Sequence, residues 1–113
     1  MPDFTKAFPS EEYLEHIHSG WFASYSYGSD QKFASLKKQF IRHMGKGWVE
    51  EKPDPADMKK GEEDMKARGT KLLGNMIITN PDFPGVSIAL NQVQFSQPEV
   101  RTKIVITVVK KAQ

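Results

Sequence analysis

The chain has 113 residues, of which 38% are hydrophobic and 27% charged, and its 16 basic residues nearly balance its 14 acidic ones. This length predicts a single domain over residues 1–113, and the apolar share excludes a wholly disordered chain. A net charge of +2 is too small to favour nucleic acid or anionic lipid as a partner. Because no cysteine is present, disulfides, thiolate zinc sites and cysteine nucleophiles are excluded.

The sequence contains no recognisable membrane or targeting signal. The longest apolar stretch runs over 104–109 and is far shorter than the roughly 20 residues that cross a bilayer. Residues 1–6 contain one Lys and no apolar segment, so we expect no signal peptide and no membrane span. These features predict either a cytoplasmic protein or the soluble part of an envelope protein whose leader is absent.

The segment 10–19 is open to two interpretations. Its Ser-Glu-Glu opening is typical of a helix start, whereas its final Ser and the following Gly20 favour a strand that turns back as a hairpin. We favour the strand. In 21–28, aromatic residues alternate with small ones, which predicts a second strand.

The clearest element is an amphipathic helix over about 30–44. Its apolar stripe recurs at helical spacing and consists of Phe33, Leu36, Phe40 and Met44. Ser29 or Asp30 is expected to cap its amino end. Gly45 and Gly47 are expected to end it, because glycine accepts left-handed conformations.

The segment 50–70 is highly charged and contains two prolines. Pro55 suits the first turn of a helix, so 56–68 is expected to be a polar, exposed helix with Met58 and Met65 as its apolar anchors. The alternative is a mobile loop, because so little apolar surface offsets the entropy cost of ordering the segment.

The last third of the chain predicts three strands. The first covers 72–79 and ends at a dense turn signal. In the second, 86–95, the apolar residues change phase after Leu90, which predicts a β-bulge or bend near Asn91 and Gln92. The third, 101–109, has apolar residues on both faces, as is typical of a central strand.

These elements predict an α+β fold: one amphipathic helix packed on an antiparallel sheet of four to five strands, with a second, short polar helix where 50–70 is not a loop. Trp48 is expected to be buried at the end of the helix, where it closes one end of the core. If 101–109 had only one neighbour in its own chain, a second copy would supply the other, so a homodimer is expected. If 21–28 and 86–95 flank that strand within one chain, no second copy is required.

His16 and His18 form the one metal-like spacing. On a strand, residues i and i+2 share a face, so both imidazoles can reach one ion. A third ligand is required, and the sequence offers Glu15 and His43 as candidates. Isolated pairs of this kind are common on solvated strand faces, so a plain surface is the competing interpretation.

No other pattern predicts chemistry. The aromatic residues of 21–28 near Lys37, Lys38 and Arg42 would suit a nucleic-acid stacking platform, but an aromatic stripe on a strand is more typical of a core, and no nucleic-acid partner is expected. Nucleophile elbows, phosphate loops and dinucleotide fingerprints are missing from the sequence. Acidic clusters such as 62–64 lie in polar stretches and are expected to be solvated. No catalytic residue and no cofactor is therefore expected.

The segment 25–48 has the order strand, Ser-Asp turn, helix and Gly-Trp. This order resembles small modules of bacterial envelope lipoproteins, although the charged insert 50–66 departs from them, and the resemblance implies no site residues. The predicted function is a non-enzymatic protein-interaction or accessory module whose sheet edges accept another strand. The alternative is a small-molecule or metal-binding protein that uses the His16/His18 face. The expected partner is a protein, including a second copy of this chain.

Overall fold

The computed structural model describes residues 3–20, 22–52, 54–95 and 102–110. A 3₁₀ helix at Phe4–Lys6 precedes the main elements. In chain order these are β1 (Glu12–Ser19), β2 (Phe22–Ser29), α1 (Phe33–Met44), β3 (Val49–Glu51), α2 (Pro55–Ala67), β4 (Thr70–Thr79), β5 (Val86–Phe95) and β6 (Thr102–Lys110). None of these helices is both long and apolar enough to cross a membrane.

The strands form one antiparallel sheet in the order β1-β2-β6-β5-β4-β3. The α+β class is confirmed, and segment 10–19 contains a strand. The sheet has six strands rather than four or five, because β3 is only three residues long and shows no periodicity in the sequence. Strand β6 lies between β2 and β5 of the same chain. It therefore needs no neighbouring strand from a second copy.

One side of the sheet, the core face, carries the buried residues Tyr27, Met76, Ile78, Ile88, Leu90, Ile104 and Ile106. Helix α1 covers it, and the predicted stripe is confirmed: Leu36, Phe40 and Met44 are buried, while Phe33 packs partly buried against the same cluster. Burial of this stripe is what holds α1 in place, since an isolated helix of 12 residues is marginal in water.

The amino-terminal segment completes this layer. Phe4 and Phe8 are buried, and the ring of Phe8 stacks 6.0 Å from that of Phe40. The Tyr27 hydroxyl donates a hydrogen bond to the main-chain carbonyl of Phe4. Burial raises the pKa of Tyr27 to about 12, so it remains a neutral donor at physiological pH.

The start of α1 differs from the prediction. The N-cap is Lys32, which makes no side-chain capping bond, so neither Ser29 nor Asp30 is the cap. The Ser29 hydroxyl instead accepts from the Gln31 amide at 3.0 Å and forms a turn ahead of the helix. The other end is as predicted, because Gly45 and Gly47 both have positive φ, at 84° and 94°.

Trp48 follows this end and is partly buried against the core cluster. Its ring stacks on that of Phe83, with centroids 5.7 Å apart and an interplanar angle of 9°. The residue therefore closes one end of the core as expected, with one side of the indole held by the turn between β4 and β5.

The predicted bulge in β5 is wrong. Pairing of β5 with β6 is continuous from Val86 to Val93, and the register shift lies in β4, between Leu72 and Gly74. The apolar residues of β5 change phase because Val93 faces the other side of the sheet, where α2 lies. A second covering layer thus produced a pattern that resembles a bulge.

Helix α2 confirms the helical interpretation of the charged segment. Asp54 caps it by accepting from the Ala56 amide at 2.9 Å, and Pro55 occupies the first turn. No residue of α2 is buried, and Met58 and Met65 are half-buried. The helix therefore lies against the sheet with little apolar contact.

Candidate functional site

A cavity of about 400 Å³ lies between α2 and the sheet. The sheet surface beneath it, the α2 face, consists of Leu72, Asn75 and Ile77 of β4, Asn91 and Val93 of β5, and Val105 of β6. The helix contributes Asp57, Met58, Gly61 and Met65.

The helix spacing explains why space remains. Met58, Gly61 and Met65 follow the i, i+3, i+7 pattern that places residues on one side of a helix. The two methionines reach toward the sheet, while Gly61 has no side chain between them. A Cβ added at Gly61 would meet nothing within 4 Å. The cavity is therefore the volume that a side chain at the middle of α2 would otherwise occupy.

Two asparagines form the polar part of its floor. Asn75 and Asn91 are directly opposite in the β4–β5 register, and Asn75 Nδ2 donates to Asn91 Oδ1. Asn75 Oδ1 is buried and has no hydrogen-bond partner within the described residues. Leaving such an atom unpaired costs roughly 1–3 kcal/mol. If the amide were turned over, its nitrogen would take that position and be unpaired instead.

The electrostatics of the cavity are simple. Among the described residues that line it, Asp57 alone carries a charge, and its side chain is exposed on α2. The remaining lining is apolar apart from the two amides. An uncharged ligand with an apolar body and one hydrogen-bonding group matches this surface, because a buried charge without a partner is strongly unfavourable.

The predicted metal pair lies elsewhere. His16 and His18 are exposed on β1, on the same side of the sheet as the core face, opposite Tyr25 and Ala23. The ring of His16 stacks on that of Tyr25 with centroids 5.7 Å apart. The structure therefore brings the two histidines to one face, as the strand interpretation predicted.

Neither candidate third ligand joins them. Glu15 alternates to the other side of the strand, where its carboxylate lies 3.5 Å from Lys103 Nζ. His43 is on α1, and its Nε2 contacts the Asp3 carbonyl oxygen at 2.8 Å. Within the described part of the chain, no three His, Asp or Glu side chains are grouped to hold a metal ion.

The other predicted candidates have structural roles. Tyr27 is 1% exposed and belongs to the core, whereas Trp21 lies outside the described residues. Lys37 forms an ion pair with Glu50 at 2.7 Å, which joins α1 to β3. The acidic cluster 62–64 is exposed on α2, as expected of a solvated surface.

Sequence reasoning missed Asn75 and Asn91. One signal was present, because asparagine is depleted in strands and both residues lie inside predicted strands. Their meeting depends on the register of β4 against β5 and on the position of α2, neither of which shows in the residue pattern.

No protein-family model, no curated protein and no solved structure matches this chain. The resemblance to envelope lipoprotein modules gains no support from these comparisons.

Proposed function

We propose that this protein is a non-enzymatic binding protein that takes a small, uncharged, largely apolar molecule into the cavity beneath α2. The observation that carries the proposal is an apolar cavity whose floor includes a buried amide oxygen, Asn75 Oδ1, without a hydrogen-bond partner among the described residues. A cavity of about 400 Å³ also lies within the range of roughly 300–1,000 Å³ typical of small-molecule sites.

The lining selects the chemistry of the ligand. A hydroxyl group both donates and accepts, so it satisfies the free atom of Asn75 in either orientation of the amide. A carboxylate would find no Lys or Arg among the described lining residues and would lie near Asp57. An aliphatic or aromatic alcohol is therefore favoured over the corresponding acid.

Access to the cavity depends on α2. None of its residues is buried, and its apolar contact with the sheet rests mainly on Met58 and Met65, whose unbranched side chains adapt to different shapes. Outward displacement of the helix opens the cavity without disturbing the core face. Ligand entry is accordingly expected to leave α1 in place.

Binding can be tested with N-phenyl-1-naphthylamine, an uncharged dye whose fluorescence rises in apolar surroundings. The protein is expected to enhance the fluorescence, 1-decanol to displace the dye, and decanoate to displace it at least tenfold less well. Equal displacement by the alcohol and the acid would contradict the proposed selectivity, and absence of enhancement would contradict the site.

Matched leucine substitutions locate the site. Gly61→Leu places a side chain in the cavity and is expected to abolish dye binding. Ala67→Leu places the same side chain at an exposed position of α2 and is expected to leave binding unchanged. If both variants bind equally, the dye occupies another surface and the proposal is wrong.

Asn75→Val tests the polar contact. Loss of one hydrogen bond to the ligand, worth about 1 kcal/mol, is expected to weaken 1-decanol binding roughly fivefold to tenfold. The urea midpoint of the variant, measured in parallel, reports whether the fold is intact. Unchanged decanol affinity in a folded variant would remove Asn75 from the site.

A further inference from the structure

Strand β1 ends the described sheet and pairs with β2 along one edge only. It carries three of the large exposed apolar side chains, those of Tyr13, Leu14 and Ile17, which are 37%, 48% and 54% exposed. An open strand edge pairs readily with another strand, and apolar side chains beside it add contact area. This edge is therefore the surface most suited to the predicted interaction role.

The same strand carries two exposed histidines. His16 and His18 lie on one face, are exposed, and are two residues apart on an extended backbone, about 7 Å from each other. Zinc requires three or four protein ligands. Since Glu15 and His43 are engaged elsewhere, the described chain supplies only two.

We propose that the β1 strands of two copies pair antiparallel about a two-fold axis at Ile17, and that the four histidines bind one divalent transition metal such as Zn²⁺. In this register His16 lies opposite the second copy's His18, and His18 opposite the second copy's His16. Directly opposite residues have Cβ atoms about 4.5–5.5 Å apart, which places four imidazoles around one ion. Imidazole is a preferred ligand of zinc.

Charge and side-chain direction favour this register. Two-fold pairing centred on a residue keeps the core-face side of both copies on the same side of the joined sheet. Centring on Ile17 sets two isoleucines against each other and places Glu15 opposite Ser19. Centring on Glu15 would oppose two carboxylates, which is destabilising. Centring on His18 would move the partner of His16 beyond the end of the strand.

The small size of the interface makes the metal necessary. Strand β1 offers eight residues on each side, whereas stable protein interfaces use roughly 20–30. The register shift between Tyr13 and Glu15 and the charges of Glu12 and Glu15 also oppose unassisted edge pairing. The chain is therefore expected to be a monomer without metal and a dimer with it.

Sedimentation equilibrium at micromolar concentration measures the oligomeric state with and without metal directly. With a chelator the mass is expected to stay near 12.8 kDa, and Zn²⁺ is expected to double it at one ion per two chains. Co²⁺ in place of Zn²⁺ should give the intense visible absorption of a tetrahedral site. A mass that stays at the monomer value at every Zn²⁺ concentration, or Zn²⁺ binding without a change of mass, would overturn the proposal.

Variants distinguish this site from chance metal binding. His16→Ala and His18→Ala should each abolish the doubling, whereas His43→Ala, a histidine on α1, should retain it. Ile17→Lys opposes two like charges at the axis and should block dimerisation although all four imidazoles remain. Doubling that survives both β1 histidine variants would refute the site, and doubling that survives Ile17→Lys would refute the register.

Discussion

The two helices of this protein cover opposite sides of one sheet in different ways. On the core face, Leu36 and Phe40 of α1 are 0% exposed, and the Phe40 ring packs against Phe4 and Phe8 of the amino-terminal segment. On the α2 face, no helix residue is buried and a cavity of about 400 Å³ separates the layers. The same sheet thus supports one closely packed layer and one layer that encloses a cavity.

The difference originates in a few side chains. Helix α1 presents two phenylalanines, a leucine and a methionine along its stripe, whereas α2 presents two methionines with a glycine between them. Local opening is least costly where few apolar contacts must be broken. Opening of α2 is therefore expected at much lower free energy than global unfolding.

The largest expected effect is that of Phe40→Ala. Truncation of a fully buried phenylalanine costs about 3–5 kcal/mol, a large part of the roughly 5–15 kcal/mol available to a domain. Urea denaturation measures the loss. The control Lys38→Ala changes an exposed residue of the same helix and should stay within about 0.5 kcal/mol. A reversed order of the two midpoints would mean that α1 faces the sheet differently.

Glycine-to-alanine substitutions compare the two sides directly. A Cβ at Gly74 would come within 2.1 Å of the Phe33 ring, so Gly74→Ala is expected to destabilise the protein by about 1–3 kcal/mol. A Cβ at Gly61 meets nothing within 4 Å, so Gly61→Ala is expected to stabilise the protein by about 0.5–1 kcal/mol through helix propensity. Shifts of the same sign in the urea midpoints would contradict the contrast in packing.

The smallest expected effect is a local one. Limited trypsin digestion should cut first within α2, at Lys59, Lys60 or Lys66, because this helix opens without the core. Lys103 lies in the central strand β6 and should be cut much later. Mass spectrometry of the first fragments decides between these sites, and early cleavage at Lys103 would show that α2 is not the weaker layer.

The parts of the fold that were predictable are those with long, regular patterns. The stripe of α1 and the two-sided apolar pattern of β6 depend on residues close in the chain, so both were recognised. Phe4 and Phe8 belong to a short segment without periodicity, and their burial depends on the distant Phe40 and Tyr27. Contacts between residues far apart in the chain leave no periodic pattern in either segment.

The candidate site was less predictable for the same reason. The change of phase at Val93 was visible, but its meaning depends on a helix that lies over the other face of the sheet. Asn75 and Asn91 become neighbours only through the β4–β5 register. The strand position of His16 and His18 was predictable, because alternation along one strand is a local property.

The unequal lengths of β3 and β4 have a consequence for solubility. Strand β3 pairs only with residues from Ile77 to Thr79, whereas β4 begins at Thr70, about 23 Å earlier along the strand. Helix α2, about 20 Å long, returns over this distance and lies beside the overhanging part of β4. Without α2, the apolar side chains of Leu72 and Ile77 would be exposed beside this part of β4, and exposed apolar residues next to a strand edge are a recognised route to aggregation. A shortened chain lacking α2 is therefore expected to retain the packed core between α1 and the sheet but to precipitate. By this reasoning α2 protects the protein against aggregation.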